Sequence, residues 1–240
     1  MEHWDTLCPG GLRFCWDESA HKPGTDAFLL GEFPRLRPGL RVCDLGSGMG
    51  LLGLLLLQRL RDLRVTGVEL QDSAVALAVR AAEENGLSDC LVTLRADLRD
   101  VRSMLSAGSF DLCVSNPPYF CGGSGKAAPD AARRIARSET ECTLQDVCRA
   151  AAYLLRWGGD LCVVYRPERL CDLVCALREN GLEPKRLRMV ESRPGAAPSL
   201  LLLEARRGGK PGLAMEPPLR LTDESGAPSA EYDAAYFRKP

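Results

Sequence analysis

Histidine is scarce in this chain of 240 residues, with only His3 and His21, and no Cys-x-x-Cys pair occurs. A zinc cluster or a thioredoxin-like dithiol would need its ligands at those spacings, so no metal is expected. An excess of charge of either sign is missing too: the formal net charge is −1. Any nucleic-acid surface must therefore be a local patch and not a property of the whole molecule. No apolar run approaches the roughly 18 residues that a membrane span needs. The longest, Leu51, Leu52 and Leu54 to Leu57, soon meets Gln58 and Arg59 and reads as a buried helix. Met1-Glu2-His3-Trp4-Asp5 lacks the basic and apolar regions of a signal peptide. Eleven cysteines, an odd number scattered through expected strands and helices, read as small buried hydrophobes in a reducing cytoplasm.

What is present is ordinary in bulk: 45% apolar and 26% charged residues, enough for one domain with at most a modest extension. Leu12 to Trp16 is a possible short strand. Thr25 or Asp26, just ahead of the apolar residues 27–30, has the look of a helix N-cap. From Arg41 the chain alternates. Strands are expected at 41–45, 65–69, 90–94, 110–115 and 161–165, with a leucine helix to about 61 and further helices at 73–85, 98–105, 129–138, 143–155 and 167–180. Trp157-Gly158-Gly159 reads as the turn into the fifth strand. Two more strands, 184–190 and 200–205, follow with no room for a helix between them. This pattern implies an α/β fold: a mostly parallel seven-stranded sheet with one antiparallel edge strand and helices on both faces. The expected organisation is an N-terminal extension over 1–40 packing on the ligand site, a core domain over 41–206, and a tail over 207–240. In that tail Leu219-Arg220-Leu221 is the one structured hint.

Open α/β sheets bind ligands beyond the carboxyl ends of their strands. The first such end reads Asp44-Leu45-Gly46-Ser47-Gly48-Met49-Gly50, with Gly53 beyond. Gly48 to Gly53 fits the dinucleotide pattern G-x-G-x-x-G, and Glu69 lies about 20 residues on. Two cofactors compete, a dinucleotide and S-adenosylmethionine. A dinucleotide sets its pyrophosphate against this turn, where the carboxylate of Asp44 is unwelcome. S-adenosylmethionine brings a sulfonium and an ammonium, which favour a carboxylate. Glu69, ending the second strand, can accept from ribose hydroxyls, and Asp97, past the third, from the adenine amine. Each residue singly also fits a tight turn or a helix cap. Three acidic positions at three successive strand ends favour S-adenosylmethionine. Thr25 and Asp26 can lie over the methionine end of that cofactor or merely cap their helix.

The apolar run 110–115 ends at Asn116-Pro117-Pro118-Tyr119. Neither proline can extend a sheet, and each pushes its predecessor out of the helical region, so the corner is stiff and extended. The Asn116 side chain and the Pro117 carbonyl offer two acceptors, and Tyr119 offers a flat face. That set matches an exocyclic amine on a planar base or amide, although a Pro-rich turn accounts for the four residues equally well on their own.

In combination these motifs resemble the class I methyltransferases that modify amino groups, and Gly24-Thr25-Asp26-x-x-Leu29-Leu30-Gly31, Phe120 and Ala136-Arg137-Ser138-Glu139 narrow the likeness. Together they are similar to the bacterial enzymes that form N6-methyladenosine beside the anticodon of a valine tRNA. The resemblance covers about 12–206. It departs at Ser138, where many relatives have histidine, and at Trp157, where proline is usual. It implies a Rossmann-like N-methyltransferase that consumes S-adenosylmethionine and releases S-adenosylhomocysteine, acts on tRNA in the cytoplasm, and needs no metal, membrane or obligate protein partner. By the same likeness Asn116, Pro117, Pro118 and Tyr119 are catalytic. Thr25, Asp26, Asp44, Gly46, Ser47, Gly48, Gly50, Glu69, Leu70, Asp97, Leu98 and Asn116 bind the cofactor. Lys126, Arg133, Arg134 and Arg137 are the candidate RNA contacts, although arginine runs usually mark a solvated helix face. Lys185, Arg186 and Arg188 form a second candidate patch. Lys126 belongs to no phosphate-binding loop, since the required glycine is missing and Ala127 replaces the Ser or Thr. The same corner motif also serves enzymes that methylate a release-factor glutamine amide, rRNA guanine N2 or DNA adenine N6. The short lead before the first strand counts against the glutamine enzymes, and the lack of a recognition insert against the DNA enzymes. A non-catalytic S-adenosylmethionine-binding subunit would more plausibly have lost Asn116 or Tyr119.

Overall fold

The computed structural model describes residues 2–17, 24–117 and 142–238. The chain opens with an antiparallel hairpin of β1 (Glu2–Thr6) and β2 (Arg13–Asp17), followed by α1 (Thr25–Glu32). Strand and helix then alternate through β3 (Leu40–Leu45), α2 (Leu51–Arg59), β4 (Leu63–Glu69), α3 (Asp72–Glu84), β5 (Leu91–Arg95) and β6 (Phe110–Ser115). After α4 (Leu144–Leu154), β7 (Leu155–Tyr165) and α5 (Leu170–Glu179) come three strands and a short helix. These are β8 (Leu182–Glu191), β9 (Pro198–Arg207), β10 (Ala214–Arg220) and α6 (Ala230–Ala235). The order across the main sheet is β10-β8-β9-β7-β6-β3-β4-β5.

The central strands are apolar on both faces because helices cover both. Val42, Leu112, Val114, Cys162 and Val164 belong to one core layer, with Leu54 and Val65. Their neighbours Cys43, Cys113, Leu161 and Val163 belong to the other, with Val68 and Leu154. Successive residues alternate faces, as the pleat requires.

The sheet has eight strands where seven are expected. The extra strand, β10, pairs parallel to β8 and takes the edge; the antiparallel strand β9 is no edge strand, because it inserts between β7 and β8 and pairs with both. Pro217 and Pro218 concealed β10. They fall where its register shifts, between Glu216 and Leu219, so no ladder hydrogen bond is lost to them. The expected turn at 157–159 is instead an irregularity within β7, between the pairs Phe110↔Leu155 and Leu112↔Asp160. The helix expected over 98–105 is a 3-10 turn, Leu98–Ser103, and Pro167 opens a 3-10 turn that precedes α5. The helix expected at 129–138 lies outside the described residues. Cys15, Cys43, Cys113, Cys148 and Cys162 are buried as expected, but Cys171 and Cys175 are exposed. Among the described residues no helix is long and apolar enough to cross a membrane.

The basic residues 185–188 are not an open patch. Lys185 Nζ donates to the carbonyls of Lys210 (2.9 Å) and Gly212 (2.7 Å). Arg188 donates to Pro217 O (2.9 Å) and pairs with Glu231. Arg186 is buried: its guanidinium lies 3.8 Å from the Phe33 ring centroid, donates to Phe33 O at 2.7 Å and pairs with Glu204 at 2.8 Å. Lys185 and Arg188 thus hold the returning C-terminal segment, and Arg186 reaches it through Glu216 at 3.4 Å. Arg186→Ala would leave Glu204 buried beside an empty space and is expected to cost about 3–5 kcal/mol. Thermal unfolding should register a drop of roughly 10 °C, largely recovered in the double variant Arg186→Met, Glu204→Leu, which removes both charges.

Candidate active site

The carboxyl ends of β3, β4, β5 and β6 lie side by side, since all four run parallel with Asp44 opposite Val114, Leu45 opposite Val68 and Glu69 opposite Arg95. The turn after β3 is tied down by backbone. Gly46 and Ser47 N–H both donate to Val68 O (2.9 and 3.1 Å), and Gly50 N–H donates to Ser47 O (2.9 Å). Gly48 has φ 53°, a left-handed conformation that a side chain would resist even though a Cβ there would meet nothing within 4 Å. Gly67 is needed for room: a Cβ on it would lie 2.6 Å from Ser47 Oγ.

Two carboxylates meet beneath this turn. Glu69 accepts from Gly48 N–H through Oε2 (2.8 Å) and from Gln71 N–H through Oε1 (2.9 Å), so it buttresses the turn. Asp44 is 1% exposed. Burial pushes its carboxyl up to about 7, the Glu69 charge adds to this, and the Gly53 backbone at the start of α2 pulls it back. Among the described residues Asp44 Oδ2 and Ser47 Oγ have no hydrogen-bond partner. Buried polar atoms are almost always satisfied, so two together on one turn mark a place built to receive donors. A cation is the best complement to a carboxylate held near its titration point.

Asp97 follows β5 and caps the 3-10 turn by accepting from Arg99 N–H (2.8 Å). Its carboxylate also pairs with the Arg99 guanidinium (2.5 Å), which holds it below the usual carboxylate range. Leu98 is core and Leu70 is half-buried. Cys142 stands in the same neighbourhood, its thiol pushed up to about 12 by burial and then by the charges of Asp146 and Asp97, with Arg99 pulling the other way and Glu69 adding to the rise.

Asn116 directly continues β6 and is half-buried, with Pro117 buried behind it. Ser115 Oγ donates to Leu45 O at 2.8 Å in a fully buried position, which fastens the end of β6 to the end of β3. The glycine turn and the Asn116-Pro117 corner are therefore neighbours on one edge. Pro118, Tyr119, Phe120, Lys126, Arg133, Arg134, Arg137 and the 136–139 segment lie outside the described residues.

Thr25 and Asp26 are not caps. Gly24 occupies the N-cap of α1 with no side-chain cap bond, and both residues fall in the first helical turn. Thr25 Oγ1 instead accepts from the Tyr236 hydroxyl at 3.1 Å. Toward its other end α1 lies on α2, where a Cβ on Gly31 would come 3.0 Å from Leu55 Cβ and Arg59 donates to the Gly31 and Pro34 carbonyls. The two helices thus run the same way, and the first turn of α1 lies toward the start of α2, beyond the glycine turn. Sequence reasoning missed Ser115, Cys142 and Tyr236. Ser115 was detectable as a polar residue closing an apolar strand, whereas Tyr236 lies 211 residues from its partner and gave no local signal.

Comparison with known proteins agrees with this geometry. A family model described as the methyltransferase small domain matches residues 14–174. The tRNA1(Val) (adenine(37)-N6)-methyltransferase of Tolumonas auensis is 36% identical over 220 residues, 91% of this chain and 89% of its own length. The protein of the same description from Porphyromonas gingivalis is 34% identical over 202 residues, covering 81% and 78%. Among solved structures, an Agrobacterium tumefaciens protein described as a predicted O-methyltransferase superposes with a TM-score of 0.73 at 22% identity, over 89% of this chain and 96% of that one.

The raised Asp44 pKa carries a signed consequence. Its protonated form is favoured by folding, so the stability it contributes is complete below about pH 4 and is lost as pH rises through about 7. Asp44→Asn, which cannot ionise, should match the parent below about pH 4 and be more stable at pH 8 by a few kcal/mol, read as a melting temperature several degrees higher.

Proposed function

The chain belongs to the methyltransferase small-domain family, and on that premise we propose that it methylates the exocyclic N6 amine of an adenine in tRNA, at position 37 of a valine tRNA by likeness to its curated relatives. The observation that carries this reading is the adjacency of the two strand ends: an acceptor corner at Asn116 beside a turn with an unsatisfied carboxylate oxygen, locked by the Ser115–Leu45 bond. In this reading residues 41–206 form the methyltransferase domain, and 1–40 pack on the cofactor site.

The residues present fit S-adenosylmethionine. Asp44 and Ser47 supply the partnerless acceptor and hydroxyl for its cationic amino-acid end. Glu69 uses two of its acceptor sites on Gly48 and Gln71 N–H, and a carboxylate has others to offer the ribose hydroxyls. Asp97 takes the adenine end, where Arg99 already holds its carboxylate in place, with Leu70 and Leu98 beside the two acids. When bound, S-adenosylmethionine supplies a methyl group activated by the positive charge on its sulfur. Asn116 and the Pro117 carbonyl accept the two hydrogens of the target amine, which aims its lone pair and draws the nitrogen toward tetrahedral. Tyr119 stacks on the base, worth about 1–3 kcal/mol, after the base leaves its stack. The amine is neutral and sheds its proton after transfer, so no strong base is required. Alignment and preorganised acceptors do the rest. Lys126, Arg133, Arg134 and Arg137 are the proposed phosphate contacts.

Incubation with methyl-labelled S-adenosylmethionine and total tRNA, followed by digestion to nucleosides, tests the proposal. Label in N6-methyladenosine from one tRNA species is the expected result, and label in a protein fraction would favour a glutamine substrate instead. Asn116→Ala should retain cofactor affinity within about 2-fold while lowering turnover at least about 100-fold. Undiminished turnover would remove Asn116 from the mechanism.

A further inference from the structure

The C-terminal segment does not trail away from the fold. Strand β10 docks on β8, Ser229 caps α6 by accepting from Tyr232 N–H (3.1 Å), and Ala235 is buried. The helix ends where Phe237 N–H donates to Ala234 O (3.0 Å) and Arg238 N–H to Asp233 O (2.8 Å). Those two bonds form a Schellman closure, whose left-handed position is normally glycine. Here it is Phe237, with φ 53°, an uncommon conformation for a bulky residue. A ring is retained where glycine would relax the backbone, and both Phe237 and Tyr236 pack against the core layer that contains α1 and α2. Tyr236 stacks face to face on Phe28 of α1, with ring centroids 4.2 Å apart and an interplanar angle of 4°. Its outer side carries the Arg238 guanidinium, 5.1 Å from the ring centroid. Its hydroxyl reaches Thr25 Oγ1.

We propose that Tyr236 is a positioning residue of the cofactor site, fixing Thr25 and the first turn of α1 against the amino-acid end of bound S-adenosylmethionine. The inference rests on the methyltransferase reading and extends it to a segment outside the residues matched by the family model, 14–174. Gly24, the N-cap of α1, has no side chain with which to cap the turn, and among the described residues the Tyr236 hydroxyl and ring reach that turn from outside. Phe28 is gripped by the tyrosine ring and Thr25 by its hydroxyl. The stack sets the height of the turn, and the hydrogen bond sets the rotamer of the threonine.

Calorimetric titration of S-adenosylmethionine into the parent chain, Tyr236→Phe, Thr25→Val and the double variant separates the possibilities. Tyr236→Phe keeps the ring stack and removes only the hydroxyl. It should weaken binding about 2- to 10-fold, and Thr25→Val should do the same. The double variant should be no weaker than either single one, because both remove one interaction. Thr25→Ser, which keeps the acceptor, should restore parental affinity. Parental affinity in Tyr236→Phe would overturn the proposal, as would fully additive losses. A lower melting temperature with unchanged affinity would also overturn it, since the contact would then be structural alone. A parent chain that fails to bind S-adenosylmethionine would instead sink the methyltransferase reading itself.

Discussion

Among the described residues Asp44 keeps a carboxylate oxygen without a partner, in a position that is 1% exposed. Burial alone would expel such a group or protonate it for good. The start of α2 offsets part of that penalty through the Gly53 backbone, while Glu69 works against it from the next strand. The outcome is an acid poised near neutrality that complements a positive partner. Sites of this kind are where stability is commonly given up for function.

Everything else at the site follows from the parallel order of the sheet. Because β3, β4, β5 and β6 are neighbours with the same direction, residues far apart in sequence arrive at one edge. Ser115 then converts proximity into register by holding Leu45 O, so the Asn116-Pro117 corner is fastened beside the glycine turn. The opposite half of the sheet serves a different end. Arg188 and Lys185, with Arg186 through Glu216, bind the chain as it returns, and that return brings α6 against α1. The two halves meet at Thr25.

The legible parts of the site were those where residue type and strand end coincide. Asp44, Glu69 and Asp97 were legible as strand-end acids because a charge closing an apolar run is conspicuous, and Asn116-Pro117 as the end of β6 because proline cannot continue a strand. Features decided by distant partners were not legible. Thr25 looked like a cap because threonine ahead of an apolar helix usually is one, and only the packing of Tyr236 shows its hydroxyl otherwise engaged. Arg186 looked like surface, since nothing local reveals that Glu204 and Phe33 enclose it. Strand β10 was hidden by its two prolines, and β1 by residues that are mostly exposed. Asp97 does follow the third strand of the run, but nothing local announced that Arg99 two residues on already pairs with its carboxylate.

The claim that a poised, buried acid receives a cationic cofactor is tested most directly by titrating S-adenosylmethionine calorimetrically between pH 6 and 8 in buffers of different ionisation enthalpy. Affinity is expected to rise with pH up to about 7, with a fraction of a proton, approaching one at the acid end, leaving the protein on binding, both effects disappearing in Asp44→Asn. Binding that is independent of pH and releases no proton would contradict it.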